Sequence, residues 1–575
     1  MDNYEPSREY EWYQNGISYN KRLEPSYYDV VDCNWDFFYG KQWRNAGLSD
    51  ELPQPVFNFV NRYVTFFVSS IMANKTEVRF DSPIMDTDEE VEDISDDILN
   101  QSWAEFEERV KLVWKTKNAL YDGAVTGDYV GHVRMDAELI PYNGAYSDVK
   151  GELVFDLVDA NNFYVANPNS KEIQTQGYVQ IVGRDTIANL KAEAKAVQES
   201  QEEFDEITTD TDNEQQASRF GQIEMENGDD DTSKATYIIT YTKKKVEGSD
   251  RKTVHVSKST KDYYIYQDIN LETELYPVAH GNWELQRNTY RGMSFVTGMI
   301  PTQIYINRGF AMAMFNTMTT AFPKLLFNKD KISGFTTSVG GQIGAELAPG
   351  ESLSNIAQYV TPGNMSAQVV QMIELATQYM RDAVGAADAL LGNVNPEQAS
   401  GTAISVASKQ AGIPLENPRS NMYNWLEDIA KIYSDMVSHL YGSRPVIMPT
   451  ENGSELAEFD FDTLQGMYKQ VKIEVGPSTY WSALALKDTM DNLLANGYIE
   501  FVTYLEGMTD EFVPNRQKMI DDIKEAQQVA EEGGGDEQEF IGSLSPEEQQ
   551  EFLALPPEQQ QAIFEQARGG VQNEV

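Results

Sequence analysis

Between residues 300 and 442 the apolar positions recur at helical spacing in three runs. In the first, Ile304, Asn307, Ala311, Met314, Met318 and Phe322 fall every three or four residues on one narrow face, which predicts a helix over residues 301–322. Pro301 suits an opening position, where its missing amide hydrogen would have had no partner, and Pro323 stops the far end. In the second run Val369, Ile373, Ala376, Met380 and Val384 align, predicting a helix over 366–384 that Gly385 ends. The third opens at Ser400 and Gly401, runs through 402–411, meets Gly412, Pro414 and Pro418, and resumes to Tyr441. Its apolar face carries Met422, Leu426, Ile429, Ile432, Tyr433, Met436 and Leu440. Asn417 and Pro418 read as an N-cap and first position and Gly442 as the stop, while Pro414 predicts one kinked or two abutting helices.

The segments between these runs differ in kind. Residues 333–363 hold Gly334, Gly340, Gly341, Gly344, Gly350, Gly363, Pro349 and Pro362, a density that admits short strands and turns but no helix. Residues 385–400 (GAADALLGNVNPEQAS) form a second, shorter connection. The predicted order is helix, small module, helix, mobile loop, long kinked helix. Upstream, residues 129–134, 152–158, 178–182, 236–243, 253–257 and 262–267 are rich in β-branched and aromatic side chains and read as strands of an α+β domain. Residues 471–475 read as a strand returning to it, and 482–496 and 515–531 as helices. Two Pro-opened units with few apolar positions, 545–552 and 555–564, follow a Gly533-Gly534-Gly535 hinge. Alone they are marginal helices, stable when packed in a ring or else a loose tail.

Charge sharpens this picture. The chain of 575 residues, long enough for two to four structural units, carries a net charge of −46. Yet residues 299–445 hold 11 acidic against 9 basic side chains, which marks this block as buried against itself or against copies of itself. Residues 81–108 contain 12 Asp and Glu and no Lys or Arg, after which Arg109, Lys111, Lys115 and Lys117 follow at once. Acid first and base last suits the dipole of one helix over about 87–123. Residues 193–231, with 14 acidic side chains against two basic, read as a solvated insertion in preference to a calcium loop, because Asp210 is not followed by the Gly and terminal Glu of an EF-hand. Lys243, Lys244, Lys245, Arg251, Lys252, Lys258 and Lys261 could touch nucleic acid, or simply pair with acidic neighbours on adjacent strands. The aromatics of residues 1–43 suit either a neighbouring subunit or their own domain.

Catalytic signatures are missing. The chain has no phosphate loop, no HExxH pair, no paired cysteines for zinc and no GxSxG elbow, and His132, His255, His280 and His439 are widely separated. The expectation is a protein that is not an enzyme and takes no cofactor and no metal. A single cysteine, Cys33, excludes a disulfide within the chain and, with no signal peptide evident, points to folding in a reducing cytosol. No stretch reads as a membrane span; the most apolar, 56–73, is broken by Asn61 and Arg62.

The order of parts, together with Val384-Gly385, Ala389-Leu390-Leu391-Gly392 and Ser400-Gly401-Thr402-Ala403-Ile404, resembles the portal proteins of tailed bacteriophages. Phe38-Tyr39-Gly40-Lys41-Gln42-Trp43, followed by Leu52-Pro53-Gln54-Pro55-Val56-Phe57-Asn58 opening a helix over 59–74, is similar to the same family. The resemblance, over roughly residues 25–445, implies an α/β wing (1–298, with the acidic insertion at 193–231), a two-helix stem (299–322 and 365–384), a small α/β clip (323–364) and a tunnel loop (385–400). A long kinked helix with a wing return (401–505) and an acidic helical crown or tail (506–575) complete it. It implies a ring of twelve copies at one capsid vertex, passing double-stranded DNA without sequence recognition. Asp388, Asn393, Asn395, Glu397 and Gln398 of the tunnel loop would face the DNA. Gly340, Gly341, Glu346 and Glu351 of the clip would meet the terminase large subunit and then head-tail adaptor proteins, with the major capsid or scaffolding protein as a further partner. The motor must be a partner, since no nucleotide loop is present. Cationic side chains are too few to grip phosphates, whereas an electronegative wall lets a duplex slide. The alternatives are another virion component, such as a tail collar or adaptor, and, more remotely, an enzyme with an acidic metal site assembled in space.

Overall fold

The computed structural model describes residues 7–43, 53–73, 76–81, 89–140, 151–197, 207, 233–261, 263–321, 324–333, 344–350, 352–360, 367–384, 413–450, 453–465 and 470–475 of one compact unit (Met1–Ala399 with Val406–Gly476). In a second unit (Ser400–Ser405 with Pro477–Val575) it describes residues 487, 490–494, 498–499, 501–506, 513, 516, 519–520 and 523. The first unit mixes helices with antiparallel sheets, an α+β architecture.

Two aromatic helices, α1 (Ser7–Arg22) and α2 (Tyr27–Phe38), open it, followed by α3 (Phe59–Ile71). The N-terminal aromatics pack on their own chain. Tyr13, Tyr27, Tyr28 and Val31 lie buried against Tyr164, Val182 and Ile238, and Trp12 stacks on Tyr178 with ring centroids 4.2 Å apart. After β1 (Thr76–Asp81) come α4 (Glu89–Val110) and α5 (Leu112–Thr126), where the charge pattern predicts one continuous helix. Lys111 between them has φ +54° and ψ +50°, a left-handed conformation that ends the helical ladder. Two of the cations beyond the acidic run reach a strand: Arg109, in the last turn of α4, donates to Leu153 O at 2.9 Å and pairs with Glu152 at 2.9 Å, and Lys115 donates to the Phe155 carbonyl.

Eight strands and a helix follow: β2 (Asp128–Asp136), β3 (Glu152–Val158), β4 (Phe163–Val165), β5 (Tyr178–Thr186), α6 (Ile187–Val197), β6 (Lys234–Lys245), β7 (Lys252–Ser259), β8 (Tyr264–Asn270) and β9 (Val278–Asn282). They build two antiparallel sheets, β3-β2-β9 and the sequential meander β4-β5-β6-β7-β8. The two-residue strands β10 (Glu284–Leu285) and β11 (Gly292–Met293) pair next. The helix α6 takes the first residues of the expected acidic insertion, and its Glu193 pairs with Lys258 at 2.5 Å. Residues 198–206 and 208–232 lie outside the described residues.

The helix α7 (Phe295–Ala321) begins before Pro301, because Ser294 caps it: its Oγ accepts from the amides of Val296 (3.1 Å) and Thr297 (3.4 Å). Pro301 therefore lies inside the helix, where its ring leaves the Thr297 carbonyl without a ladder bond. Next come β12 (Lys324–Phe327), β13 (Ile332–Ser333), β14 (Gly344–Ala345), α8 (Leu353–Ile356) and β15 (Ala357–Val360). The pairs β12-β15 and β13-β14 are antiparallel, and the single turn of α8 corrects the expectation of no helix here. The helix α9 (Ala367–Val384) follows, then α10 (Glu416–Leu440). Pro414 sits in a short 3-10 turn before α10, and Pro418 falls within its first turn, behind an N-cap at Leu415, where amide hydrogens lack partners anyway. Residues 402–411 lie outside the described residues.

An antiparallel hairpin, β16 (Ser443–Thr450) and β17 (Gly453–Asp460), goes beyond what the pattern predicts. Its signal in the sequence, the Asn452-Gly453 dipeptide, is obscured by Pro445 and Pro449, which a two-stranded sheet tolerates on its outer edge. The last strand of the unit, β18 (Gln470–Val475), returns to pair with β1. In the second unit a short helix, α11 (Phe501–Glu506), is described, with Asp491 between Lys487 (2.7 Å) and the Tyr504 hydroxyl (2.6 Å).

The helix α10 is the spine of the largest core. Trp425 is wedged edge-on against Tyr129 and Phe155, and its indole donates to Ala279 O at 3.1 Å. A Cβ at Gly131 would meet Phe155 at 2.6 Å and Trp425 at 3.0 Å, so only glycine lets β2 approach these rings. Two turns on, Tyr433 packs among Trp103 and Phe106 and shares a 2.7 Å hydrogen bond with Ser102.

A buried ion pair joins sheets to helices. Asp128 is fully buried at the start of β2, and Arg291, 3 % exposed, approaches its Oδ2 to 3.3 Å. The other oxygen accepts from Asn282 Nδ2 (2.7 Å) and the Gly292 amide (2.6 Å), and His280 Nε2 lies 3.4 Å from it. Arg291 also donates to Ala160 O (2.8 Å) and Phe163 O (3.1 Å) and stacks over Tyr27. Burial alone would raise the Asp128 carboxyl, but His280 and Arg291 outweigh it and hold the group below its ordinary value.

Replacing Arg291 with Met strands a buried carboxylate and should destabilise the first unit by about 3–5 kcal/mol, seen as a lower urea midpoint; an unchanged midpoint would show that the pair is not structural. Glu9 behaves oppositely. Burial pushes its carboxyl up to about 7, against lowering by the Ser259, Thr240 and Ser257 hydroxyls and Arg8. Its folded value exceeds the unfolded one, so its contribution is full below about 4.5 and is lost as pH rises through about 7. Glu9→Gln should thus stabilise the protein by on the order of 2 kcal/mol at pH 8 and leave it unchanged at pH 4, which melts at the two pH values would check.

Candidate functional site: a helix pair on a buried amide network

The base of α7 is fixed by amides. Gln303, fully buried, donates to Phe57 O (2.7 Å) and to Asn307 Oδ1 (2.9 Å) and accepts from the Phe59 amide (3.2 Å). Asn307 donates to Gln42 Oε1 (2.6 Å), and Gln42 donates to Phe37 O (2.9 Å) and Asn58 Oδ1 (3.1 Å). Asn58 also caps α3, accepting from the Asn61 amide at 3.1 Å, and Trp43 donates to Pro55 O at 2.9 Å. The aromatic-Gly-Gln-Trp and Pro-Asn clusters singled out in the sequence thus meet around α7. Sequence reasoning missed Gln303 and read Asn307 only as a face position; the signal was an amide pair four residues apart on an otherwise apolar helix.

Above this base α7 packs against α9. A Cβ at Gly309 would sit 2.9 Å from Ile373 Cγ1, so the helices touch where glycine stands. Ile306, Ala311, Ile373 and Met380 are buried. Beyond Ala311, none of residues 312–320 is buried. Met312 (60 % exposed), Met314, Phe315 and Met318 on α7, Val370, Met372, Leu375 and Tyr379 on α9, and Leu326 (64 % exposed), Phe327 and Leu347 in the module between them all stand in solvent. Large apolar side chains concentrated so heavily on one feature mark a surface meant to be covered.

Of the predicted site residues, Glu346 is described: it is exposed just after β14, its amide donating to Lys331 O at 2.9 Å. Gly340, Gly341, Glu351, Asp388, Asn393, Asn395, Glu397 and Gln398 lie outside the described residues. The basic cluster does not form a free cationic patch. Lys244 pairs with Asp268 (2.5 Å), Lys245 with Asp250 (2.6 Å), Arg251 with Glu274 (2.5 Å) and Lys258 with Glu193 (2.5 Å), while Lys243 donates to Gln174 O (2.9 Å). The histidines have separate neighbours: Tyr241 for His132, Asp268 for His255, Asp128 for His280 and Asp435 for His439. Among the described residues no group of three or more His, Cys, Asp or Glu is arranged to hold a metal, and no helix is long and apolar enough to cross a membrane.

The family model for Phage P22-like portal proteins matches residues 24–573. The chain belongs to that family. Among curated proteins none matches it. As a phage portal protein it is a virion component and head-tail connector, a structural role, and the family implies an oligomeric ring that meets capsid and terminase. In this portal protein the amide network sets the exit angle of α7. Asn307→Leu leaves Gln42 and Gln303 each short of a buried partner and should cost about 2–4 kcal/mol. A double-mutant cycle with Gln42→Leu should show the second change costing far less once Asn307→Leu is in place; strict additivity would mean that the amides do not act together.

Proposed function

We propose that twelve copies of this chain close into a ring at one capsid vertex, through which the terminase large subunit drives duplex DNA inward and from which the genome later leaves. The observation that carries this reading is the apolar surface left uncovered on α7, α9 and the module between them. Among the described residues nothing covers the exposed side chains of α7 and α9, and copies arranged about an axis would cover them with one another. In this reading α7 and α9 are the stem, residues 323–364 the clip, residues 385–400 the tunnel loop, the remainder of the first unit the wing, and residues 506–575 a crown or tail directed into the capsid. Gly340, Gly341, Glu346 and Glu351 would meet terminase and then head-tail adaptor proteins, with the major capsid or scaffolding protein around the ring. Assembly would take place in the host cytoplasm.

Electrostatics support a conduit. Tight DNA binding needs cations to displace counterions from phosphates, whereas this chain has 45 Lys and Arg against 91 Asp and Glu. An acidic wall repels the duplex and keeps a hydrated gap around it, which favours sliding. Asp388, Asn393, Asn395, Glu397 and Gln398 would then touch the DNA without reading its sequence. Replacing residues 392–398 with a Gly and Ser linker of equal length should leave rings intact while lowering packaged DNA per particle; unchanged DNA content and phage yield would remove the loop from the mechanism.

A further inference from the structure

The bend between α4 and α5 exposes a compact feature that the stem does not explain. Leu112, Thr116, Ala119 and Leu120 of α5 are buried, yet Val113 and Trp114 stand 58 % and 61 % exposed. They lie two and three residues after Lys111, whose left-handed backbone redirects the chain between the helices. A side chain other than glycine in that conformation costs about 1 kcal/mol. On either side Lys111 and Lys117 are exposed, and among the described residues neither has an ion-pair partner, in contrast to Arg109 and Lys115, which β3 engages.

We propose that this basic, tryptophan-centred knuckle is a contact through which one copy of the chain grips an acidic surface of the next copy in the ring. The inference rests on the ring reading and adds a second contact on the body, away from α7 and α9 in sequence. Charge selects the occupant. At −46 per chain, neighbouring copies repel one another, so a contact that brings two unpaired lysines to a neighbour's carboxylates offsets repulsion where it is needed. Desolvating a tryptophan beside those pairs supplies the apolar centre of such a contact. A ring contact joins two different patches, so a basic face on one copy meeting an acidic face on the next closes without requiring self-complementarity.

The test uses purified full-length protein with a photo-crosslinking benzophenone amino acid in place of Trp114, alongside Trp114→Ser and the double charge reversal Lys111→Glu with Lys117→Glu. Expected are crosslinked dimers within rings, the captured peptide richer in Asp and Glu than in Lys and Arg, and ring assembly by both variants shifted to at least about tenfold higher protein concentration with unchanged melting temperature. Rings of the benzophenone-bearing protein with crosslinks only within a chain, or variants that assemble as the wild type does, would overturn the knuckle while leaving the ring reading intact. Capture of a capsid protein instead of a second copy in whole particles would also overturn it. Wild-type protein that forms no ring at any concentration would defeat both.

Discussion

A carboxylate and a guanidinium taken fully out of water must satisfy each other and every remaining hydrogen-bonding atom, or the fold loses more than it gains. Asp128 and Arg291 meet most of that demand, with Arg291 Nε left unpaired among the described residues, by recruiting α2 through Tyr27, β9 through Asn282, the chain around β4 through the carbonyls of Ala160 and Phe163, and β11 through the Gly292 amide. Three residues after Arg291, Ser294 donates to Ala124 O (3.0 Å) or Val125 O (2.7 Å) and caps α7. The ion pair therefore sits three residues from the cap that starts α7.

A second constraint follows from the first. Gln42, Asn58, Gln303 and Asn307 bond to one another and to nearby carbonyls, which fixes both the azimuth and the tilt of α7 on α3. From this base α7 and α9 project a surface whose apolar side chains are exposed among the described residues. A rigid root and an uncovered tip suit a part that is completed by assembly. The acidity distributed over the rest of the chain opposes casual association, so that specific contacts decide the geometry.

Periodicity suffices to find α7, α9 and α10 because a helical face repeats whatever covers it. For the same reason it does not tell the buried half of α7, ending near Ala311, from the exposed half with Met314 and Met318. The break at Lys111 has no Gly or Pro to announce it, and the β3 carbonyls that Arg109 and Lys115 reach lie 44 and 40 residues away in sequence. Pro445 and Pro449 conceal a hairpin because proline argues against a central strand but not against an outer one. The polar clusters near Gln42 and Asn58 are visible as local wording, yet their partner Asn307 is 265 residues from Gln42, and Arg291 is 163 residues from Asp128. Such long-range pairings follow from topology, which residue spacing does not encode. Most of the predicted channel and clip residues fall outside the described segments, so their roles rest on the family and on position.

The central claim is that copies of this chain complete one another around an axis. Electron microscopy of the purified full-length protein, with native mass determination on the same sample, tests it most directly. The account predicts rings with a central opening wide enough for duplex DNA and a mass near twelve chains, with the apolar faces of α7 and α9 turned toward neighbouring copies. A monodisperse monomer that persists at high protein and magnesium concentration, with those faces still open to solvent, would contradict it.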